Sequence, residues 1–595
     1  MTQYAKRNAK MQHYLNYLGD LNPQFLREIK GKLKPKNIIA TVVAAVFTQL
    51  VIAIAFLSRL PDISSPIIKN SSEIIYSAQK QYSRYCIASI TDQNYYSYNS
   101  ALCYQDLQNH WVINWQLFWF DIFVALSVIG ITMLILLGTY FLINNAITEH
   151  KQGTINFIRL SPQSASSILV GKILGVPILL YLFIALGLPL QTVAAMQSGI
   201  SGSLLVTFYL AVIASCGLFY SFGLLISFML PKSANSLMIA IAIGAFFLCT
   251  TILNTYKYNF HTSTVLDWLL IFNPYNLILY LGKNTGIAFH YFNYADLLFD
   301  SNRPTEHIEP FLYSNLLFYG QALWQKIGIG FGLVIANYCL WTYWIWQGLT
   351  RRFSSLENTV ISKKQSYWIT GYFVAIALGF SLQTKKFHVV ENIALLQFVL
   401  VIFLLGLTFA LTPQRQTLQD WARYRHQTKK KGKILWQELV FGDKSPSTIA
   451  IAINVLMLTL YIVPSFLLFL NYEKSKFVLW GLVVSMSVAL FYSAIAQLIL
   501  ITRGKNRAAI ACGATALFVF VLPILMLTAE ILPHRHHLIW LFTPFSALVV
   551  DNAAFSTIIT AILGQWLAII LVSVQITRKL RQAGRSQTYK MFIGK

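Results

Sequence analysis

The chain has 595 residues, of which 56% are hydrophobic and only 11% are charged, and its formal net charge is +25. Because soluble domains carry about 25% charged residues, this composition excludes an ordinary soluble protein. A mean hydropathy of +0.56 favours a chain that crosses a membrane several times.

The first 36 residues are polar and basic, so they do not read as a cleavable signal peptide, and we expect the first apolar run to direct insertion. A helical projection of this tail places apolar and basic residues on opposite faces. The apolar face holds Phe25, Leu26, Ile29 and Leu33, and the basic face holds Arg27, Lys30 and Lys34. This pattern predicts an amphipathic helix in the membrane interface; the alternative is an ordinary charged anchor.

Apolar runs long enough to cross a bilayer as helices recur along the whole chain. The predicted spans are 37–60, 114–145, 168–195, 203–229, 235–256, 324–349, 366–383, 391–412, 448–470, 477–502, 508–531 and 553–577. We therefore expect an all-α polytopic membrane protein with about twelve transmembrane helices in two six-helix modules.

The basic residues are unevenly distributed between the predicted loops. With the N-terminus inside, the inner segments hold 33 of the 46 Lys and Arg residues. This positive-inside bias accounts for the net charge without a nucleic-acid partner. It predicts a multi-pass plasma (inner) membrane protein with both termini in the cytoplasm.

The six cysteines fall into two groups. Cys86 and Cys103 share the predicted outer loop 61–113, where a disulfide is expected and two free thiols are the alternative. The others lie within apolar spans and are expected to be small core residues: Cys216, Cys249, Cys339 and Cys512.

The inner loop after the second span, EHKQGTINFIRLSPQSASSILVGK from Glu149 to Lys172, predicts a short helix near 146–165. Thr154 is expected to cap that helix, and Ser161 with Pro162 to begin the next one. The alternative is a solvated hairpin in which Gly153 and Pro162 merely interrupt regular structure.

Two echoes suggest a duplicated module. The outer segments before the sixth and twelfth spans share Phe272-Asn273-Pro274-Tyr275 and Phe542-Thr543-Pro544-Phe545, and both predict short interfacial or re-entrant helices. Ser161-Pro162 and Ser445-Pro446 precede the third and ninth spans. We favour a six-plus-six register; the likeness of 435–442 to the N-terminal helix would instead align the ninth span with the first.

No P-loop, HExxH, GxSxG or EF-hand motif is present, so the sequence provides no nucleotide-binding motif and no reason to predict an enzyme. His534-Arg535-His536-His537 is interpreted as a polar outer turn rather than a metal site. The spans hold few ionisable groups; Asp121 lies near an outer end, and Lys172 is expected to snorkel from an inner end. Because no ion relay is evident, the energy for any transport must come from elsewhere.

These features resemble those of the permease subunits of ABC transporters of the type-2 exporter class. The resemblance rests on the interfacial helix, six spans with outer helices before the sixth, and the inner-loop pattern. In that pattern, Glu149, Gly153-Thr154, the apolar run Ile155 to Leu160, Ser161-Pro162 and Gly171-Lys172 occur in the family's order. The match covers about 1–352 and is much weaker over 366–595.

The resemblance implies a cytoplasmic tail (1–36), a first module (37–352) and a divergent second module (353–595). It implies a coupling helix whose apolar residues fill a groove on a separate ABC ATPase subunit: Ile155, Phe157, Ile158 and Leu160. The chain would bind no cofactor itself and would use ATP through that partner. The pathway would form in the bilayer between its modules or between two copies of the chain.

Two other functions stay open: an ion-coupled secondary transporter, and a non-transporting membrane scaffold or assembly protein. A membrane-embedded enzyme has the least support, because no cluster of catalytic side chains occurs at a span end.

Overall fold

The structure is a computed structural model in which the described residues are almost entirely helical. They are 19–20, 22–60, 82–83, 85, 101–102, 112–229, 235–260, 264–282, 316–355, 357–382, 389–428, 432–469, 472–502 and 507–584. Cys86 and Cys103 lie outside these residues, so their disulfide stays a prediction.

The described chain separates into two compact units. The first comprises Met1–His261, Leu269–Leu316 and Ala322–Ile345, and the second comprises Thr262–Trp268, Leu317–Gln321 and Trp346–Lys595.

The first unit begins with a short amphipathic helix and continues through long apolar helices. Its helices are α1 (Pro23–Lys32), α2 (Pro35–Leu57), α3 (Trp115–Lys151, with a π-helical turn at Met133–Leu137), α4 (Thr154–Arg159), α5 (Ala165–Gly175), α6 (Ile178–Gln197), α7 (Gly202–Met229), α8 (Ser236–Phe260), α9 (Asp267–Ile271, which crosses the division), α10 (Asn276–Gly282) and α11 (Ile327–Ser354, which ends in the second unit). Two residue pairs, β1 (Tyr82–Ser83) and β2 (Ala101–Leu102), form a small antiparallel ladder.

The second unit contains the remaining long helices and two helices of the basic segment 413–447. Its helices are α12 (Lys363–Ser381), α13 (Val389–Leu411), α14 (Arg415–Thr428), α15 (Gly432–Phe441), α16 (Thr448–Phe469), α17 (Tyr472–Ile501), α18 (Arg507–Thr528, with a π-helical turn at Leu517–Val521), α19 (His537–Trp540) and α20 (Phe555–Gly584).

Among the described residues, ten helices are long and apolar enough to cross a membrane, which is the composition of a multi-pass membrane protein. The other two predicted spans, 235–256 and 366–383, are also helical, as α8 and α12, but they are not among those ten. Twelve spans therefore stay a prediction.

Helices in the two units pack in the same order along the chain. In the first unit, α2 packs on α6, and α3 packs on α7. In the second, α12 packs on α16, and α13 packs on α17. In each unit, therefore, the first predicted span packs on the third, and the second predicted span packs on the fourth.

The segments around Pro274 and Pro544 form short helices and turns, because proline cannot continue a helix from the residues before it. The Asn273 amide donates to the hydroxyls of Thr250 (2.9 Å) and Thr251 (3.1 Å) on α8, and α10 packs on α3 and α7. After Pro544, the turn Ser546–Leu548 packs on α13 and α17.

Many apolar side chains on the long helices are exposed, as expected for surfaces that face lipid. Phe47 on α2 and Leu563 on α20 are two of them. The prediction that all four span cysteines are core residues is wrong: Cys216 is buried, but the other three are exposed. They are Cys249, Cys339 and Cys512.

Candidate coupling site

Helix α1 packs directly on α5 through two glycines one helical turn apart. A Cβ atom on Gly171 would lie 2.6 Å from Asn22 Oδ1 and 2.9 Å from the Phe25 backbone nitrogen. A Cβ atom on Gly175 would lie 2.6 Å from Glu28 Cβ. Glycine at both positions therefore lets the two helices approach closely, as small residues do between membrane helices.

The buried face of α1 is polar rather than apolar. Gln24 and Glu28 are 6% and 7% exposed, and the Gln24 amide donates to Glu28 Oε1 at 3.1 Å. The face predicted to enter the interface is less buried, since its four residues are all partly exposed: Phe25, Leu26, Ile29 and Leu33. The helix therefore uses both faces, with the polar one on the protein.

Both ends of α1 are hydrogen-bonded to the chain around α5. Asn22 accepts from the Phe25 backbone N–H (3.0 Å) as the N-cap and donates to Ser167 O (2.7 Å). Lys32 Nζ donates to Val176 O at 2.6 Å and lies 3.6 Å from Glu28 Oε2. Burial lowers the pKa of Lys32, and the nearby Glu28 partly offsets that effect.

A buried ion pair joins α3 to α5. Lys172 Nζ contacts Glu149 Oε2 and donates to Asn145 Oδ1 at 3.2 Å, and the Lys172 side chain is fully buried. Arg27 on α1 lies 3.9 Å from Glu149 Oε1. The prediction that Lys172 snorkels is wrong, because its ammonium group has a carboxylate and an amide oxygen as partners inside the protein.

The predicted short helix is present as α4, and its N-cap residue is a glycine in the left-handed backbone conformation. Gly153 has φ +74°, a conformation that costs side-chain-bearing residues about 1–2 kcal/mol. Thr154 does not cap the helix; its hydroxyl donates to Glu149 O at 3.1 Å, so it ties α4 to the end of α3. The start of α4 is therefore held by the same residue that binds Lys172.

Two apolar residues at the C-terminal end of α4 are exposed. Phe157 is 78% exposed and Leu160, just after the helix, is 83% exposed, whereas Ile158 is intermediate. Ile155 is fully buried, so it anchors α4 to its own unit and does not fit the predicted role of filling a partner's groove. Phe157 and Leu160 are thus the exposed apolar residues of this segment, and we name them the coupling patch after the role that the sequence predicts for it.

The cap of α5 is one turn later than predicted. Ser164 accepts from the Ser167 N–H at 3.2 Å and is the N-cap, whereas the Ser161 hydroxyl donates to Ile158 O at 2.7 Å. Ser161 therefore ends α4, and Pro162 lies in the turn between the helices. The expectation that Ser161 starts the next helix is wrong.

In the second unit, a buried lysine joins the start of α12 to the basic segment 413–447. Lys363 is 1% exposed, and its Nζ donates to Leu439 O (2.7 Å), Ser445 Oγ (2.6 Å) and Pro446 O (3.0 Å). These bonds fasten the start of α12 to the α15–α16 turn. Burial lowers the pKa of Lys363 to about 8, and Asp443 opposes that shift.

An aspartate completes this arrangement. Asp443 Oδ1 accepts from the Lys363 backbone N–H at 3.2 Å, and Asp443 Oδ2 forms an ion pair with Arg351 at 2.8 Å. The Ser445 hydroxyl lies 2.6 Å from Glu438 O and 2.9 Å from Gly442 O, so it also ends a helix. Ser161 and Ser445 hence play the same local role before Pro162 and Pro446.

Sequence reasoning missed the residues that brace α4 and α5 in the first unit: Asn22, Gln24, Glu28, Asn145 and Gly175. It also missed those that hold the start of α12 in the second unit: Arg351, Lys363 and Asp443. The sequence signal that could have found members of the first group is the four-residue spacing of Gln24 with Glu28 and of Gly171 with Gly175, which places each pair on one face of a helix. No group of three or more metal-ligating side chains occurs among the described residues, which include His534 to His537.

Comparisons of the chain with protein-family models, with curated proteins and with solved structures found no match.

Proposed function

We propose that this chain is the membrane-spanning permease subunit of an ATP-driven, ABC-type exporter, which moves its substrate by means of a separate ATPase subunit. The proposal places the ATPase at the coupling patch of α4, on the cytoplasmic side. Besides the ten apolar helices, its basis is the geometry of that patch and its bracing.

The observation that carries the proposal is the exposure of Phe157 and Leu160 on a short helix between two apolar helices. Exposed apolar patches rimmed by polar residues mark contacts with a protein or a membrane, and the proposal assigns this one to the ATPase. Aromatic residues contribute strongly to such contacts when they enter a partner's pocket. A solvated hairpin would not require large apolar side chains at positions 157 and 160.

The bracing gives the patch a mechanical role. Thr154 ties α4 to Glu149, and Glu149 holds Lys172, so a force on α4 reaches α3 and α5 together. Helix α1 also packs on α5, at Gly171 and Gly175. A partner that moved on nucleotide binding would thus shift two spans as a rigid body rather than bend a loop.

The shared packing order supports two homologous six-span modules over the register that aligns the ninth span with the first. The first-to-third pair favours the six-plus-six register: α12 packs on α16 as α2 packs on α6, whereas the alternative would need α16 to pack on α18, and no comparable packing joins those two among the described residues. The second-to-fourth pair recurs in both registers, because α17 packs on α20 as well as on α13. The loop 413–447 has two longer helices where α4 stands in the first unit, so any ATPase contact there is built differently.

The test is co-purification of a P-loop ATPase from the native host with the tagged chain. Phe157→Asp combined with Leu160→Asp should abolish co-purification and the associated ATP hydrolysis while leaving the protein in the membrane. Asn156→Asp is the matched control, since it adds charge to an exposed position of α4 without removing apolar surface. Equal ATPase recovery with the double variant would reject the proposal.

A further inference from the structure

The second unit contains a large cavity at the end of α16 and α20 that adjoins its basic helices. Its volume is about 740 Å³, within the range of ligand pockets. Most of the wall is aliphatic, and α14, α15, α16 and α20 all contribute to it. The aliphatic residues include Leu435, Leu439, Ile449, Ile576 and Leu580.

Two arginines and a tryptophan line the same cavity. Arg425 Nε lies 3.4 Å from Glu438 Oε2, and the same oxygen accepts from Trp421 Nε1 at 3.1 Å. Arg581, in the last turn of α20, is exposed and has no ion-pair partner within the described residues. The lining thus holds two arginines and no acidic residue, and Glu438 pairs with Arg425, which leaves a net positive charge.

The position of the cavity matches a ligand with one charged and one apolar end. Helix α16 begins there and α20 finishes there, so the cavity lies where the apolar spans meet the basic segments. Guanidinium groups bind phosphate through charge-assisted hydrogen bonds, and tryptophan is enriched at membrane–water interfaces. A free phosphate would leave the aliphatic wall unused.

We propose that this cavity binds an anionic phospholipid of the adjoining leaflet, with Arg425 and Arg581 at the phosphate and the aliphatic wall around the acyl chains. The lipid would bridge α14 and α15 to α16 and α20. This proposal does not depend on the exporter assignment, because neither the coupling patch nor an ATPase takes part.

The test is lipid binding to the delipidated full chain by native mass spectrometry, with phosphatidylglycerol and phosphatidylcholine as probes. The wild-type chain should bind phosphatidylglycerol more tightly. Arg425→Gln with Arg581→Gln should weaken that binding by about tenfold or more. Thr577→Trp, which fills the cavity and keeps both arginines, should also weaken it.

The matched control is Arg423→Gln with Arg578→Gln, which removes the same charge from the same two helices at positions that do not line the cavity. It should leave phosphatidylglycerol binding unchanged. The proposal is overturned by equal affinity for the two lipids, by an equal loss in the control, or by unchanged binding to Thr577→Trp. Displacement of the lipid by an equal concentration of inorganic phosphate would overturn the acyl-chain assignment.

Discussion

Glu149 on α3 and Lys172 on α5 form an ion pair with almost no solvent contact, directly beside the short helix that carries the coupling patch. Removal of one partner from such a pair leaves an uncompensated charge in an apolar setting. The pair therefore holds the two helices that flank α4 in a fixed relation.

We expect Glu149→Gln to destabilise the protein by about 3–5 kcal/mol, measured as a lower unfolding temperature in detergent. Glu149→Leu combined with Lys172→Met should cost less than the single change, because no buried charge is left alone. Arg27→Gln is the control, since Arg27 is half exposed and an exposed partner contributes about 0–1 kcal/mol. A milder effect of the single change than of the double would contradict the buried-pair account.

Gly171→Ala should loosen α1 from α5, because the added methyl group meets the Phe25 backbone nitrogen, which cannot move aside on its own. We expect a loss of about 1–3 kcal/mol and faster tryptic cleavage after Arg27 and Lys30. Gly187→Ala is the matched control, since a Cβ atom there meets nothing within 4 Å. Equal cleavage rates in the two variants would show that α1 does not rest on this glycine.

Lys363 should make stability rise with pH in the alkaline range. Its pKa falls from 10.5 in the unfolded chain to about 8 in the fold because of burial. Between these values the unfolded state binds more protons, so raising the pH favours the folded state, by up to about 3 kcal/mol. We expect the unfolding temperature of the wild type to rise relative to Lys363→Met from pH 8 to pH 10; parallel pH profiles would refute this.

Sequence reasoning located most long helices because a span of about twenty apolar residues needs no tertiary partner to be recognised. It also located α4 and the proline breaks. It did not predict which face of α1 packs on the protein, because an amphipathic helix has two faces and the sequence cannot say that glycines on α5, over 140 residues away, accept the polar one.

Lys172 and Ser161 show the same limit at single residues. A lysine near a span end can snorkel or pair, and only the position of Glu149 on the neighbouring helix decides between them. A Ser-Pro pair can begin one helix or end another, and here the Ile158 carbonyl accepts from both the hydroxyl and the backbone N–H of Ser161. The local sequence could not predict either contact, because the positions of Glu149 and of the Ile158 carbonyl are set only when the chain folds.

The most direct test of the central claim is site-specific photo-crosslinking from position 160 in native membranes. A photoreactive amino acid at Leu160 should yield an adduct with a protein that mass spectrometry identifies as a P-loop ATPase. The same group at Phe47, on the exposed apolar face of α2, should yield lipid adducts only. An inserted, stable protein that gives no ATPase adduct from Leu160 or Phe157 would contradict the claim that α4 is a coupling helix.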